Sequence, residues 1–300
     1  MLNGKNPSAD DLERRDDDAS TSLRWAGTSA LGRDWEVLCA TAETATRTLS
    51  PASINCVVTS PPYFWLRDYG VEGQIGLEDS VEAYAEAIVE VLDGIKLALA
   101  DDGLVFLNIG DTFYSGKGKS HGVDEKSRKR RFGLRAVDKS GGLGLGLQRK
   151  SLIGVPWRIA MALASNGWVL RSSIIWHRKH RLPEPVADRP SRSYEYVFML
   201  AKSRYYYFDR ERLVADNIDE DMWTIPAKPK ARSGIDTAPF PDELVRRCLA
   251  IGCKPGGVVL DPFLGSGTTL RVALEMGFGG VGIELNQRFC EYAVRELVKL

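Results

Sequence analysis

A short apolar run, VVLD (258–261), enters the turn PFLGSGTT, which opens a helix predicted over Thr269–Met276, and the chain then returns as a second apolar run, GVGIE (280–284). Strand, glycine-rich turn, helix, strand is the opening of a nucleotide-binding α/β half, whose strands lie parallel under helical cover. Such a unit needs further strands beside it, and the chain supplies them. INCVV (54–58) reads as a buried strand stopped by Pro61 and Pro62, which cannot continue a sheet ladder. From Glu78 the spacing of Val81, Tyr84, Ala85, Ile88, Val91, Leu92, Ile95 and Leu99 has helical period, and LVFLNIG (104–110) follows as a strand. Val155–Ala164 is a predicted helix with Pro156 in its first turn, Trp168–Trp176 and Tyr194–Leu200 are predicted strands, and Pro241–Ile251 is a helix ended by Gly252. A last helix starts near Gln287. The expected fold class is α/β.

The glycine turn limits the ligand. Gly265 and Gly267 allow a tight turn and close backbone approach. The turn lacks the lysine of GxxxxGK[ST], which disfavours a triphosphate cradle, and it does not match GxGxxG, which weakens a dinucleotide reading. Asp261 precedes it, and Glu284 stands 23 positions later at the end of the next strand, where an acid can accept hydrogen bonds from both ribose hydroxyls. The spacing favours an adenosine-containing cofactor that needs no pyrophosphate; the competing reading is a purely structural turn.

A second unusual loop is TSPPYFWLRDYG (59–70), where two prolines fix the backbone and Tyr63, Phe64, Trp65 and Tyr69 crowd a short stretch. The Ser60 hydroxyl and the Pro61 carbonyl can accept from an exocyclic amine, and Tyr63 can stack on a planar ring. An isolated PPY would be read as a strand-ending turn with satisfied aromatics.

Charge matters locally and not in sum. Forty Lys and Arg balance forty Asp and Glu, yet within 115–150 eleven basic residues oppose Asp124, Glu125 and Asp138, a net of +8. Six more basic residues lie in Arg171–Arg192, interleaved with Trp176, His177 and His180. Basic groups meet phosphates and planar rings stack on bases, so a polyanion fits both stretches; a solvated charge run is the plain alternative for KSRKRR. Residues 1–22 carry six acids between Asp10 and Asp18 and are expected to be a disordered tail, with the folded body from Trp25 or Trp35 onward. Five cysteines without a CxxC pair argue for reduced thiols, Cys56 reads as core, and the HxxH of His177 and His180 has no third ligand nearby, so no metal is expected. No apolar stretch approaches a membrane span and the N-terminus lacks a signal-peptide core, so a cytoplasmic location is expected.

TSPPY paired with DPFLGSGTT, and FPDEL before the latter, resembles the amino-group DNA methyltransferases that use S-adenosyl-L-methionine and act on adenine N6 or cytosine N4. The resemblance runs from about Trp35 to the C-terminus and includes NIGDTF (108–113), GVPWRIAMALASNGWVLRSSIIWHRKHRLPEP (154–185) and DRPSRSYEYVFMLAKS (188–203). The catalytic loop preceding the cofactor loop looks like the permuted order of the beta class. The resemblance implies a Rossmann-like mixed seven-stranded sheet with helices on both faces and inserted DNA-recognition elements, in one catalytic domain over 23–300. It implies that Ser60, Pro61, Pro62 and Tyr63 hold the target amine. It places Thr59, Phe240, Pro241, Glu243, Asp261, Pro262, Phe263, Gly265, Ser266, Gly267, Thr268, Glu284 and Asn286 around the cofactor. Double-stranded DNA would meet Arg67, Tyr69, Lys117, Lys119, Lys129, Arg130, Arg131, Trp176, His177, Lys179 and Arg189, with Trp176 readable equally as core. The insertion at 115–150 and the interval 204–239 are the candidate recognition segments. Serine in TSPPY, where many adenine-specific relatives have aspartate, leans toward cytosine N4; adenine N6, an RNA methyltransferase and a non-catalytic DNA-binding relative are the alternatives. A cognate restriction endonuclease is the further partner implied, and the pattern selects neither monomer nor dimer.

Overall fold

The computed structural model describes residues 23–114, 147–148, 150–179, 186–218, 220–227 and 239–300. The expected acidic tail, nearly all of the basic insertion and residues 228–238 of the second recognition candidate lie outside them. The chain runs β1 (Leu23–Thr28), β2 (Asp34–Cys39), α1 (Ala42–Ala45), β3 (Ile54–Thr59), α2 (Val81–Ala98), β4 (Leu99–Ile109), α3 (Val155–Ser165), β5 (Val169–Lys179), β6 (Tyr194–Ala201), α4 (Arg210–Ala215), β7 (Met222–Pro226), α5 (Asp242–Gly252), β8 (Val258–Asp261), α6 (Thr268–Glu275), β9 (Gly279–Glu284) and α7 (Gln287–Leu297).

All strands join one sheet in the order β1-β2-β9-β8-β3-β4-β6-β5-β7. The run from β2 to β4 is parallel, β6 is antiparallel to both β4 and β5, and β7 is parallel to β5. Among the described residues the sheet has nine strands, the expected seven and one more at each edge. The additions are the edges: β1 pairs antiparallel with β2, and β7 buries Trp223 and Ile225 while exposing Met222, Thr224 and Pro226. Proline fits there because an edge strand's outer N–H needs no ladder partner.

Periodicity explains the layers. On α2, Ser80 caps the first turn by accepting from Ala83 N at 3.0 Å, and the buried Val81, Tyr84, Ala85, Ile88, Val91, Leu92 and Ile95 form one stripe. That stripe packs with α1 and α3 on Val57, Val105, Leu107 and Ile109 of the sheet. On the opposite face α5 and α6 cover Cys56, Val58, Leu104 and Phe106, while α7 closes over Trp35 and Val37.

Connections leave the β8/β3 boundary in opposite directions, β3–α2–β4 one way and β8–α6–β9 the other. Their first helices therefore lie on opposite faces, and a crevice opens beyond the carboxyl ends of β3 and β8, the position where open α/β sheets bind ligands. TSPPY leaves β3 and DPFLGSGTT leaves β8 at this crevice.

Candidate active site

A buried carboxylate ties the two loops together. Asp261, 2% exposed, accepts from Thr59 Oγ1 at 2.7 Å and Phe263 N at 3.0 Å on one oxygen, and from Thr269 Oγ1 at 2.5 Å on the other. Burial pushes its carboxyl up to about 6, against the pull of those donors. The buried side chains of Thr59 and Asp261 thus bond to each other, and Asp261 also holds the turn and α6, which braces the crevice where the two loops leave the sheet.

The glycine turn rests on α7 and β9. Gly267 has φ +83°, and a Cβ there would stand 3.0 Å from Ala293 Cβ; Gly265 has φ 55°. Leu264 N donates to Ile283 O at 2.8 Å, and the Leu264 side chain covers Gly282 so closely that a Cβ on Gly282 would lie 2.5 Å from it. Gly265 N and Asn286 N each donate to one oxygen of Glu284 at 2.8 Å. Burial pushes Glu284 up to about 7, and each of its oxygens keeps lone-pair capacity beyond the single backbone N–H it receives. A turn with glycine at 265 and 267 beside an acid of this kind fits an adenosine ribose, and the turn itself holds no lysine for a triphosphate. Asn286 caps α7, accepting from Arg288 N at 3.0 Å. Pro262 and Thr268 are buried while Phe263 and Ser266 are half-buried. Phe240 and Pro241 sit buried where α5 starts, and Asp242 pairs with Arg271 of α6 at 2.5 Å, which joins the first turns of those helices. Glu243 is exposed and pairs with Arg247 one turn along its own helix.

The proline loop is anchored from α2. Tyr84 donates to Pro62 O at 2.8 Å, Trp65 Nε1 donates to Glu78 O at 2.7 Å, and Trp65 holds φ 49°, a left-handed conformation rare for a bulky residue. Tyr63 enters a polar cluster that the sequence reading did not assemble. Its hydroxyl donates to Glu195 Oε2 at 2.5 Å and lies 3.4 Å from Asn108 Oδ1, and Ser60 Oγ donates to it across 3.4 Å. Arg178 Nη1 meets the other Glu195 oxygen at 2.9 Å, and Asn108 Nδ2 donates to Tyr196 O at 3.1 Å. Burial, then the Glu195 charge, raises the Tyr63 phenol well above its ordinary range, so it stays protonated. The signal for these missed residues was one strongly polar side chain in each of two otherwise apolar runs: Asn108 in LVFLNI, the second half of β4, and Glu195 in YEYVFMLA.

Strand direction brings the ends of β4, β5 and β7 and the start of β6 to this same edge. His177 Nδ1 lies 3.2 Å from Thr224 Oγ1, Lys179 is exposed, and the Arg189 guanidinium stacks 3.7 Å above the Phe113 ring. Arg67 is half-buried in the proline loop, and Tyr69 meets Phe289 of α7 edge-on at 6.2 Å. Trp176, expected at the DNA, is corrected to a core residue: it is 5% exposed and its indole donates to Ile225 O at 3.0 Å. Lys117, Lys119, Lys129, Arg130 and Arg131 lie outside the described residues. Among the described residues no cluster of His, Cys, Asp or Glu could hold a metal ion, and no helix is long and apolar enough to cross a membrane.

The model of the DNA methylase family, N6/N4 type, matches residues 54–295. The type II methyltransferase M.SmaI of Serratia marcescens is 40% identical over 275 residues, covering 89% of this chain and 92% of that protein. M.Cfr9I of Citrobacter freundii, also a type II methyltransferase, is 42% identical over 257 residues, covering 84% and 83%. Among solved structures, the cytosine-N4-specific PvuII DNA methyltransferase shares the fold with a TM-score of 0.67 at 17% identity, over 89% of this chain and 86% of that one. The Thermus thermophilus protein TTHA0409, solved in complex with S-adenosyl-L-methionine, superposes with a TM-score of 0.60 at 26% identity, over 86% and 92%. With both signature loops meeting at the β8/β3 crevice and the family match spanning most of the chain, the protein belongs to the N6/N4 DNA methylase family of DNA amino-methyltransferases.

Proposed function

We propose that this chain transfers a methyl group from S-adenosyl-L-methionine to the exocyclic N4 of cytosine at a specific site in duplex DNA. When bound, that cofactor supplies an electrophilic methyl group on a sulfonium. Glu284 is assigned to the ribose hydroxyls, the backbone of Pro262–Gly267 to the body of the cofactor, and Phe240 and Pro241 to its outer wall. The observation that carries the reading is the state of Ser60. Its Oγ lies 3.4 Å from the Tyr63 hydroxyl, whose own hydrogen goes to Glu195 at 2.5 Å, so Ser60 can turn its hydrogen toward the phenol oxygen and present lone pairs to an amine N–H. Accepting both amine hydrogens, with the Pro61 carbonyl taking the second, favours a pyramidal nitrogen with a directed lone pair. This stabilises the transition state more than the planar ground state.

Cytosine is favoured over adenine because a neutral hydroxyl, and not a carboxylate, begins the loop. A target base must leave the duplex to reach the crevice, at a cost of a few kcal/mol that basic groups along the same edge can offset through phosphate contacts. The type II character of M.SmaI and M.Cfr9I supports site-specific action beside a cognate restriction endonuclease.

The test is nucleoside mass spectrometry of unmethylated DNA incubated with the protein and isotopically labelled S-adenosyl-L-methionine. Labelled N4-methylcytosine is expected. Labelled N6-methyladenine would keep the fold and overturn the role given to Ser60, and absence of label in DNA would overturn the activity.

A further inference from the structure

We propose that Glu195 is a positioning residue for methyl transfer and the terminus of a proton relay, Ser60 to Tyr63 to Glu195, with Arg178 holding its far oxygen. The proposal rests on the amine-methylation reading above.

The cluster is assembled from separate parts of the chain. Ser60 and Tyr63 come from the loop after β3, Asn108 from the end of β4, Arg178 from the end of β5 and Glu195 from the start of β6. Sheet register makes the meeting unavoidable: Ile109 pairs with Tyr196 and Trp176 with Glu195, so the ends of β4 and β5 flank the start of β6. Gly110 leaves the space, since a Cβ there would fall 2.8 Å from the Tyr63 ring and 3.3 Å from Glu195 Cδ. An acid that is 8% exposed needs a reason for being in an apolar strand, and Arg178 alone does not provide one, because apolar replacements of a buried ion pair are often as stable. What the pair does provide is a fixed acceptor at Tyr63. Oε1 takes Arg178 at 2.9 Å and Oε2 takes the Tyr63 hydroxyl at 2.5 Å.

Donation to a carboxylate leaves the phenol oxygen a better acceptor, and Ser60 Oγ donates to it. The chain of donors therefore points one way, away from the substrate. In the reaction the amine lone pair forms the N–C bond while the C–S bond breaks with its electron pair left on sulfur. The nitrogen then carries a positive charge and one hydrogen too many. That proton passes to Ser60 Oγ as the Ser60 proton passes to the Tyr63 oxygen and the Tyr63 proton to Glu195 Oε2. The products are a neutral methylated amine, neutral Ser60 and Tyr63, and a protonated Glu195 that returns its proton to solvent between turnovers. Before the proton moves, the same polarisation draws positive charge from the nitrogen as it develops, so the relay acts on the transfer step itself.

The decisive experiment is a single-turnover assay of the full chain with unmethylated DNA and labelled S-adenosyl-L-methionine, read beside cofactor affinity, DNA affinity and thermal midpoint. Glu195→Gln keeps the shape and an acceptor but removes the charge. Its transfer rate is expected to fall on the order of 10²-fold, the usual scale of a general-base contribution, with both affinities unchanged. Tyr63→Phe keeps the ring and cuts the relay, so it should lose rate to the same extent. Adding Glu195→Gln to Tyr63→Phe should lose nothing further, an outcome that independent structural damage does not give. A wild-type rate in Glu195→Gln, or losses that multiply in the double variant, overturns the relay. If Glu195→Gln shows no melting transition, Tyr63→Phe alone decides: the same loss supports the relay and a wild-type rate overturns it. Wild-type protein that labels adenine N6 sinks the substrate reading while the relay is still scored on that product, so the two failures are distinguishable.

Discussion

Asp261 shows how much one side chain can hold. It lies under the boundary between the strands that carry the two signature loops, and its oxygens take donors from β3, from the glycine turn and from α6. Replacement by alanine leaves the Thr59 hydroxyl and the Phe263 N–H without their acceptor, each worth about 1–3 kcal/mol, while Thr269 can turn to Val58 O. Replacement by asparagine should be far milder. An amide oxygen can serve Thr59 and Phe263, and Thr269 can turn its hydrogen to Val58 O, already 3.3 Å away, while accepting from the new NH2. Asparagine also removes a titration. The folded carboxyl, at about 6, lies above its unfolded value near 3.9, so the native state binds the extra proton and is stabilised by acid. That contribution is fully present below about pH 4 and is lost as pH rises through 6, a change of roughly 3 kcal/mol at 1.36 kcal/mol per pH unit. Denaturant melts of wild type and Asp261→Asn from pH 4 to pH 8 should therefore show wild type gaining on the variant in acid and losing that gain toward neutrality. A pH-independent difference between the two would refute the raised carboxyl.

At the level of elements, the glycine turn depends on a strand it never follows directly. Leu264 sits on Gly282 in the middle of β9, and a Cβ at Gly282 would come within 2.5 Å of the buried Leu264 side chain. Gly282→Ala should push Leu264 and the turn outward and weaken binding of S-adenosyl-L-methionine by about tenfold or more, since overpacking a core contact costs typically 1–3 kcal/mol. Calorimetric titration of the cofactor reads this directly, and unchanged affinity would show that the turn does not bear on β9.

The turn itself is legible in the sequence because glycine and proline mark places where the backbone must do something special. So are β3, β4, β8, β9 and the long helices, whose apolar periods run for many residues. β7 is not, since its five residues, Met222–Pro226, are too few to set a period and end in a proline that argues against a strand. Glu195, Asn108 and Arg178 escape for a different reason. Asn108 and Glu195 are lone polar residues in apolar runs and Arg178 is one of several basic residues near the end of β5, so their meaning arises only when β4, β6 and β5 pair in register. Trp176 fails in the opposite sense: its basic neighbours suggest a surface, but strand alternation turns the indole inward while His177 and Lys179 face out.

On the scale of the whole molecule the net charge is zero, so attraction to a polyanion must come from where the charges lie. The carboxyl-end edge of the sheet carries the crevice together with His177, Lys179 and Arg189, and the chain leaves and re-enters this edge on either side of 115–146. Arg33, Arg212 and Lys254 belong to the opposite edge: Arg33 and Arg212 line one surface cavity with Gly256, and Lys254 pairs with Asp102 at 3.4 Å. Two triple-alanine variants thus remove the same charge from different places. Replacing Lys129, Arg130 and Arg131 should weaken DNA binding and make the log–log salt dependence shallower by up to about 3, at roughly 0.9 for each phosphate no longer neutralised. The rate at saturating DNA should hold, because none of the three is assigned to the amine or the cofactor. Replacing Arg33, Arg212 and Lys254 should leave both affinity and slope near wild type. Equal effects from the two variants would mean that DNA responds to total charge. No effect from the first would make KSRKRR a solvated run, and the contacts that hold the duplex over the crevice would then have to come from the strand ends alone.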